Sequence, residues 1–549
     1  MTGAGAPPRV GIDLGTTYCC VAYLDDGGHP RVIPSSDGER TTPSVVWFDG
    51  QQAYVGRKAN LRKLTSGQHV YEFVKRDIGR PVELPPGRRE DDPATPPVAA
   101  YEVGGFKYGA AGISAIILRK LKKEAVAHFR RLGTLDTAND RAVELEAVIT
   151  VPAYFGDKER QETKLAGYAA GLRVVGVVNE PTAAALAYGV LRAADQRIMV
   201  FDLGGGTLDV TVMEMRGGEL QVLNSVGNNT LGGRDWDRLI EEYLYEAFRA
   251  ANGRSIPDTP ERAFQVQELA LQAKFALTDA PSTEVFYSIP EGDLVTTLYR
   301  DAPPERGEYD IPTAGDAFYF DERATDLLSH CQAICEAALV QRVPDGTERR
   351  VEWADLDEIV LAGGACRMPM IPALLERISG RRIRRQVEGF DYDTAIATGA
   401  ALYGQQRGRV VDVVSHGLGV RVLLGGRSAV DYLVEKDTPL PTVARRTYRA
   451  GPEARLEVYE GESRDPEECS PRGELRLDNP DGYVTIEFAL DADGVLKVEA
   501  TYPVDAAGGP LPGGPAPARQ ALEINNDLYR YNRRAGPLRE RVQAVAVNL

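Results

Sequence analysis

Two short turns rich in glycine and threonine carry the residues best suited to chemistry. Gly11–Thr17 reads GIDLGTT and Phe201–Thr207 reads FDLGGGT, so each apolar run ends in an aspartate, Asp13 or Asp202. Glycines let backbone N–H groups approach an anion closely, and a nearby carboxylate suits hydrated Mg²⁺. The second turn is not a P-loop, because no GK[ST] follows it. A single turn of this kind is more typical of a plain hairpin, but two matching turns favour a clamp for a polyphosphate.

Three further segments are weaker candidates. Glu180 lies at a predicted strand-to-helix junction, where a carboxylate could orient water or a metal or could simply cap the helix. The pair Lys75–Arg76 is more typical of a solvated surface when it stands alone. The sharp turn Gly363–Pro369 could be a structural corner or a backbone platform for a base or ribose, with Arg367 stacking on the ring.

Composition narrows the class of protein. The 549 residues exceed what one core serves, and 43% hydrophobic with 26% charged residues is ordinary globular composition. The formal charge of −16 disfavours nucleic acid as a partner. No window approaches the roughly 18 apolar residues of a membrane span, and the start has no signal-peptide pattern, so we expect a cytoplasmic protein. The six cysteines form no CxxC pair and are expected to be buried thiols.

The pattern of predicted secondary structure changes near residue 409. Residues 9 to about 408 alternate strand and helix patterns, which is typical of an α/β domain, and the repeated turn unit indicates two duplicated lobes facing a cleft. The patterns predict strands at Arg173–Val178, Arg197–Leu203, Thr207–Met215 and from Asp355 to Leu361, and helices at Glu159–Gly171 and Thr182–Leu191.

The residues from Val410 to Val504 are short, alternating runs that predict a β-sandwich. Asp491–Gly494 is a hairpin signal within it. Residues 505–518 are too rich in Gly and Pro for regular structure, and residues 519–549 are expected to add one strand and one short helix.

The motifs GIDLGTT, VITVPAYF, VNEPTAAALAYG, FDLGGGTLDV, LGGRDWD and LAGGACRMP stand in the order found in the seventy-kilodalton heat-shock chaperones of the DnaK type. The chain resembles that family over its first four hundred residues, and more loosely to about Val504. The resemblance implies an α/β actin-like (ribonuclease H-like, duplicated) ATPase domain of two lobes, followed by an all-β sandwich domain. The expected divisions are an ATPase domain at 1–408, an interdomain linker at 409–415, a sandwich at 416–504 and a Gly/Pro-rich tail at 505–549.

The resemblance also implies residue roles. Lys75 would orient the attacking water and Thr207 would assist the attack. Asp13 and Asp202 would hold Mg²⁺ through water, with K⁺ as a further candidate ion. The implied catalytic residues are Lys75, Glu180, Asp202, Thr207 and Asp13. The implied contacts to ATP or ADP are Gly15, Thr16, Thr17, Tyr18, Gly204, Gly205, Gly206, Lys274, Thr278, Gly363, Gly364, Arg367 and Asp393. Pro152 and Arg160 match the positions through which the family relays nucleotide state between lobes and domains. The residues implied for one peptide-binding pocket are Leu423, Tyr448 and Leu456.

Several positions depart from the family pattern. Leu271 replaces a glutamate that contacts adenosine, and Gly176 replaces a basic residue near the J-domain contact. The linker Gly408–Val413 is less apolar than usual, and residues 290–317 form an acidic insertion. Only about 45 residues follow Val504, so we expect the helical lid to be missing.

The favoured function is therefore an ATP-dependent chaperone that hydrolyses ATP to ADP and phosphate and binds unfolded or extended polypeptides. A J-domain co-chaperone and a nucleotide-exchange factor are candidate partners, and neither nucleic acid nor a membrane is expected. One alternative is a nucleotide-binding regulator or scaffold with a near-idle ATPase and one dedicated partner. A small-molecule kinase on the same fold is a second alternative, which the appended β-region disfavours.

Overall fold

The structure is a computed structural model. It describes residues 7–50, 52–63, 69–82, 98–103, 105–135, 143–189, 195–302, 317–342, 348–385, 387, 389–406, 410–424, 426–451, 454–477, 482–511, 516–522 and 527–547. For Arg342, Gln406, Leu424, Leu522 and residues 527–535 only the backbone is described. Gly408 and Arg409 of the predicted linker, and residues 303–316 of the predicted insertion, lie outside this set.

The first α/β unit is built on a six-stranded sheet. The strands of the whole unit, including those of its smaller sheets, are β1 Arg9–Leu14, β2 Tyr18–Leu24, β3 Pro30–Val32, β4 Thr42–Pro43, β5 Val46–Asp49, β6 Gln52–Val55, β7 Val70–Tyr71, β8 Tyr101–Val103, β9 Phe106–Tyr108, β10 Glu146–Val151 and β11 Arg173–Asn179. Its helices are α1 Arg57–Arg62, α2 Ala110–Arg131, α3 Asp157–Ala169 and α4 Glu180–Gly189. The main sheet runs β11-β10-β1-β2-β3, with β4 on β2, and β10 is buried along its whole length, as a central parallel strand requires.

The second α/β unit repeats this plan. Its strands are β12 Gln196–Leu203, β13 Leu208–Arg216, β14 Glu219–Asn228, β15 Ser282–Ile289, β16 Gly292–Tyr299, β17 Phe318–Tyr319, β18 Val340–Arg342, β19 Glu348–Arg350 and β20 Glu358–Ala362. Its helices are α5 Gly233–Asn252, α6 Pro260–Asp279, α7 Phe320–Arg323, α8 Thr325–Ala338, α9 Met370–Ser379 and α10 Ala395–Gln406. In both units a hairpin, β1–β2 or β12–β13, lies beside a parallel strand, β10 or β20.

The two units share a packed boundary. One apolar cluster joins residues of the first sheet, such as Val148, to residues of the second, such as Ile198 and Val200. Helix α10 returns to the first unit and lies against β1, where a Cβ on Gly11 would come within 2.5 Å of the carbonyl oxygen of Ala397. Only glycine permits that approach, which explains the glycine in the first motif.

An all-β region follows. Strand β21, Val410–Val411, pairs in parallel with β14 of the second unit. Two four-stranded sheets then pack face to face, in the orders β23-β22-β25-β26 and β24-β27-β28-β29. Their strands are β22 Gly417–Leu424, β23 Arg427–Val434, β24 Thr442–Ala450, β25 Arg455–Gly461, β26 Ser470–Arg476, β27 Gly482–Leu490, β28 Leu496–Val504 and β29 Ala518–Leu522. The predicted turn at Asp491–Gly494 does join β27 to β28.

The C-terminal segment leaves the sandwich. Helix α11, Asp527–Ala544, packs on α3 and α2, and strand β30, Ala546–Val547, pairs in parallel with β6 of the first unit. One strand and one helix were expected after residue 518. The sequence did not predict the second strand, β30, or the packing of this segment against the first unit.

Most sequence-based element boundaries are correct to within a few residues. The strand predicted at Arg197–Leu203 runs from Gln196 to Leu203, and the helix predicted at Glu159–Gly171 runs from Asp157 to Ala169. All six cysteines are free and, apart from the half-buried Cys469, buried as expected. Among the described residues no helix is both long enough and apolar enough to cross a membrane.

Candidate functional site

The two glycine turns face each other between the α/β units. A Cβ on Gly205 would overlap the hydroxyl oxygen of Thr17 and lie 2.9 Å from its Cβ. A Cβ on Gly206 would lie 2.6 Å from Cγ2 of Thr16. The second turn is closed by a hydrogen bond from the amide of Gly204 to the carbonyl oxygen of Thr207, 3.0 Å long. Glycine at 205 and 206 therefore allows the two turns to approach to van der Waals contact.

A buried ion pair lies beside the turns. Lys75, in a 3₁₀ turn at Val74–Asp77, forms a salt bridge to Oε1 of Glu180, the first residue of α4, and both side chains are almost fully buried. Asp13 accepts a 3.2 Å hydrogen bond from the hydroxyl of Thr150. Oδ2 of Asp202, at the end of β12, is buried and has no hydrogen-bond partner among the described residues. A positive ammonium and several acceptor oxygens are thus held out of water.

Burial and repulsion from neighbouring charges raise the pKa values of Asp13 and Asp202. Burial raises the pKa of Asp13 to about 7, the charge of Glu180 adds to this shift, and the ammonium of Lys75 opposes it. Burial and then Glu180 also raise the pKa of Asp202 well above its ordinary value. Burial works to lower the pKa of Lys75, but the charges of Glu180 and Asp13 outweigh it and raise that pKa, so this lysine stays charged. The cluster has an excess of negative charge that a cation would relieve.

The opposite wall of the cleft comes from α6, the turn after β20 and the residues before α10. The ammonium of Lys274 lies 2.6 Å from Oδ1 of Asp237 and donates a 2.9 Å hydrogen bond to the carbonyl of Gly233. Arg367 forms a 2.7 Å ion pair with Asp393.

A single cavity of about 650 Å³ collects most of the predicted residues. The predicted residues that line it are Asp13, Gly15, Thr16, Thr17, Tyr18, Lys75, Glu180, Asp202, Gly204, Gly205, Thr207, Lys274, Thr278, Gly363, Gly364, Arg367 and Asp393. Gly206 lies in the turn behind it, and its carbonyl accepts hydrogen bonds of 3.1 and 2.7 Å from the guanidinium of Arg76. Leu271, at the position of the missing glutamate, also lines the cavity.

The mouth of the cavity includes residues that sequence reasoning missed. Lys63 of the first unit forms an ion pair with Glu72 and stands 5.1 Å from the ring centroid of Phe264 in the second unit. Gln267 of the second unit lies 3.5 Å from Glu72. These contacts join the two units across the mouth, and no local motif marks them because each residue is ordinary in its own segment.

Asp209 was also missed. It lies on β13 directly opposite Asp202, is fully buried, and accepts a 3.1 Å hydrogen bond from the amide of Ala153. Burial, and then the charge of Glu180, raise its pKa to about 8. An aspartate between the apolar residues Leu208 and Val210 at the start of a strand was the available signal.

The linker and the sandwich contact the first unit through a polar network. The side-chain amide nitrogen of Asn179 donates a 2.7 Å hydrogen bond to Asp412, and the oxygen of the same amide group accepts a hydrogen bond from Arg160. In the hairpin turn of the sandwich, Asp493 forms a 2.7 Å ion pair with Lys164 and accepts a hydrogen bond from the amide of Val177. The relay prediction concerned Arg160 and Pro152, and Arg160 does lie at this junction.

The three residues predicted to share a peptide pocket do not lie on one face. The register pairs Val420 with Val458, which places Leu456 opposite Val422 and on the other face of the sheet from Leu423. Leu423 is 76% exposed, whereas Leu456 is in the sandwich core and Tyr448 packs against that core. The prediction that all three residues form one pocket is therefore wrong, because successive side chains along a strand point to opposite faces of the sheet.

A cleft that brings together two glycine turns, a buried lysine and several carboxylates has the groups that the class of phosphoryl-transfer proteins uses. Comparison with known proteins agrees with that class. A family model described as Hsp70 protein matches residues 9–507. The chain is 34% identical over 518 residues to the chaperone protein DnaK of Prochlorococcus marinus (strain MIT 9515), which covers 89% of this chain and 75% of that protein.

The chain therefore belongs to the Hsp70 family. It is an ATP-dependent molecular chaperone that hydrolyses ATP, and nothing in the comparisons favours the scaffold alternative. Members of the family bind ATP or ADP with Mg²⁺, unfolded polypeptides and co-chaperones.

Proposed function

We propose that the cavity between the two α/β units is the ATPase site, and that the units are the lobes of an actin-like domain spanning residues 1–408. The linker is then 409–415, the polypeptide-binding sandwich 416–504, and the tail 505–549. The observation that carries this proposal is the meeting of the two glycine turns, Lys75–Glu180 and the two aspartates around one cavity.

The donor set fits hydrated Mg²⁺. Asp202 offers an unpartnered buried oxygen, and the raised pKa of Asp13 reflects excess negative charge that a cation would offset. Carboxylates at water-mediated distance suit this ion, because it releases its waters reluctantly. Asp13 and Asp202 would hold Mg²⁺, which when bound neutralises phosphate charge. K⁺ remains a second candidate ion for the same acidic cluster.

The chain's own residues would act by positioning and charge. The turns 15–17 and 204–206 hold the phosphates with backbone amides, and Tyr18 lies beside the first turn. Lys75 meets the γ-phosphate and orients the attacking water, while Glu180 fixes the lysine and helps to place that water. The hydroxyl of Thr207 lies beside the reacting phosphate. Preorganised charge of this kind accounts for most of the catalysis in phosphoryl transfer.

The adenosine would lie against the other wall of the cavity. Lys274 and Thr278 from α6 face the ribose, and Gly363, Gly364 and Arg367 form the platform for the base. Asp393 holds the guanidinium of Arg367 in place through their 2.7 Å ion pair.

The direct test is turnover in Lys75→Ala. Loss of one positioned electrostatic group costs about 10²–10³-fold in rate, so the expected result is a fall of that size with nucleotide affinity largely retained. Lys107→Ala, which removes an exposed lysine of β9, is the matched control and should leave turnover unchanged. Equal turnover in the two variants would contradict the assignment.

The sandwich would bind extended polypeptide by strand addition, with side-chain contacts on the exposed face of β22. Leu423 is the residue of the predicted set that is accessible there, so Leu423→Ser should weaken binding of a labelled unfolded peptide by about tenfold, as loss of a contact worth roughly 1 kcal/mol or more would. Val443→Ser removes a similarly exposed side chain from the other sheet and is the control. Equal losses in both variants would point to a non-specific apolar effect and contradict the site.

A J-domain co-chaperone and a nucleotide-exchange factor are the proposed partners. At the J-domain position the chain has Gly176 rather than a basic residue, and the next amide, Val177, already bonds to Asp493 of the sandwich. Stimulation of turnover by a J-domain protein should therefore be small. Steady-state ATPase rates with and without a J-domain protein measure this directly.

A further inference from the structure

The C-terminal segment is anchored in the core of the first α/β unit. Val542, Val545 and Val547 are 0%, 7% and 3% exposed and belong to the same apolar cluster as Ile113 and Phe129. Apolar side chains buried this completely add stability in proportion to the surface that they remove from water. Strand β30 also adds backbone pairing to β6, with Ala546 opposite Gln52 and Val547 opposite Ala53.

Polar groups of the first unit complete the anchor. The buried guanidinium of Arg119, on α2, donates to the carbonyl oxygens of Val542 and Val545, which lie at the end of α11. The ammonium of Lys123, one turn further along α2, donates to the carbonyl of Val547. The last carbonyls of a helix lack partners within it, so a cation there satisfies them and also suits the helix dipole.

Two aromatic contacts extend the anchor on the surface. The guanidinium of Arg539 stands 4.9 Å from the ring centroid of Tyr168 on α3, and that of Arg541 stands 5.3 Å from the ring centroid of Phe106 on β9. Such a contact between a cation and an aromatic ring adds a modest attraction at a partly exposed site. The segment thus contacts four elements of the first unit, β6, β9, α2 and α3.

The same segment begins in the sandwich. Strand β29 pairs with β28, with Gln520 opposite Ala500 and Leu522 opposite Val498. Only residues 523–526 separate Leu522 from Asp527, the start of α11. Five steps of extended chain span at most about 18 Å. Leu522 of the sandwich therefore cannot lie further than this from Asp527 of the anchored segment unless β29 or the anchor detaches.

We propose that residues 527–547 are an intramolecular tether that fastens the sandwich to the first α/β unit in both the ATP-bound and the ADP-bound protein. The linker strand Val410–Val411 fastens the other end of the sandwich to β14 of the second unit. With both ends held, the sandwich stays docked when nucleotide changes. This inference concerns the placement of the domains and stands whether or not the cavity roles above are correct.

The test compares Val542→Asp with Ala544→Asp in the full chain. Both add a carboxylate near the end of α11, but Val542 is buried and Ala544 is exposed, so only the first disrupts the anchor. In Val542→Asp, hydrogen exchange at residues 52–55 should be at least tenfold faster, and the radius of gyration with ADP should rise, while Ala544→Asp matches the parent on both measures. The parent should give the same radius with ATP and with ADP.

A second experiment covers the case in which Val542→Asp does not fold. A protease site placed between Leu522 and Asp527 is cut after the protein has folded. The tether predicts that the released segment co-elutes with the rest of the chain, and that the radius of gyration with ADP rises after the cut. An unchanged radius after cutting, or a parent chain that already expands when ATP is replaced by ADP, would overturn the proposal.

Discussion

The inner part of the cleft between the α/β units and the outer strand faces of the β-sandwich differ in how deeply their ion pairs are buried. In the cleft, Lys75 and Glu180 are almost completely buried, as are Lys274 and its partner Asp237. On the sandwich, ion pairs such as Arg455–Glu474 lie across exposed strand faces, with both side chains about half exposed. The desolvation of buried charges costs stability that their pairing only partly offsets, whereas exposed pairs contribute little to stability. The contrast indicates that the cleft gives up stability to hold reactive groups, and that the stability of the sandwich comes from its apolar core.

The largest change in stability is expected when the buried carboxylate of Asp209 is removed. Its folded-state pKa of about 8 lies above the ordinary value of 3.8, so as the pH rises through this window the unfolded chain loses its proton first. The carboxylate therefore destabilises the fold progressively from about pH 4 to about pH 8. Asp209→Asn should raise the free energy of unfolding of the nucleotide-free protein at pH 7.5 by on the order of 4 kcal/mol, since each pKa unit is worth about 1.4 kcal/mol.

The same variant supplies its own control at low pH. Near pH 4 the aspartate is protonated in the folded protein and roughly half protonated in the unfolded chain, so most of the ionisation penalty is gone and the two proteins should unfold at nearly the same denaturant concentration. A gain at pH 7.5 that persists unchanged at pH 4 would show that packing, rather than ionisation, is responsible.

The sandwich core should respond to loss of volume instead. Leu456→Ala removes a buried side chain and should cost about 2–5 kcal/mol of unfolding free energy, as such deletions do in other cores. Leu423→Ala, on the exposed face of the neighbouring strand, should cost less than about 0.5 kcal/mol. Denaturant unfolding of both variants measures the difference, and similar costs would mean that the two side chains do not face opposite ways.

The contact between the glycine turns gives a smaller effect, confined to the cleft. A Cβ at position 205 would overlap Thr17, so Gly205→Ala should push the turns apart and reduce turnover by about 10²-fold, the usual result of misplacing reacting groups by 1 Å. At Gly204 the nearest atom to a Cβ is 3.8 Å away, and Gly204→Ala should distort the free protein much less. Steady-state turnover, together with the unfolding midpoint of each free protein, distinguishes the two positions.

The smallest effect is expected for the exposed ion pairs of the sandwich. Arg445→Ala removes the partner of Glu487 on a strand face where the arginine is two-thirds exposed. Its cost should be at most about 1 kcal/mol and should shrink as salt is added. A cost as large as that of Leu456→Ala would break the contrast between core and surface.

The sequence predicted the cleft better than the tail for a physical reason. Residues such as Asp13, Asp202 and Gly205 occupy tight turns whose chemistry is local, so their type and spacing carry the information. The buried face of α11 is decided by α2 and α3, hundreds of residues away, and three valines near the end of the chain predict little without that partner. The pocket assigned to Leu423 and Leu456 failed because alternation along a strand can be predicted only once the register is known.

The linker is a feature that the sequence predicted only in part. Its reduced apolar content favours weak coupling between nucleotide and polypeptide, and Val410–Val411 forms a strand of only two residues on β14. Val413 is nevertheless buried in the boundary between the α/β units. Restoring leucines at Gly408 and Arg409 should lengthen the apolar contact and increase peptide stimulation of turnover.

The most direct test of the whole account is the affinity of a labelled unfolded peptide with ATP and with ADP, in a Thr207→Ala background that blocks hydrolysis. A sandwich held at both ends should bind peptide with affinities that differ by less than tenfold, about 1.4 kcal/mol. Cutting the tether between Leu522 and Asp527 should then widen the difference. A tenfold or larger difference in the uncut chain would contradict the account.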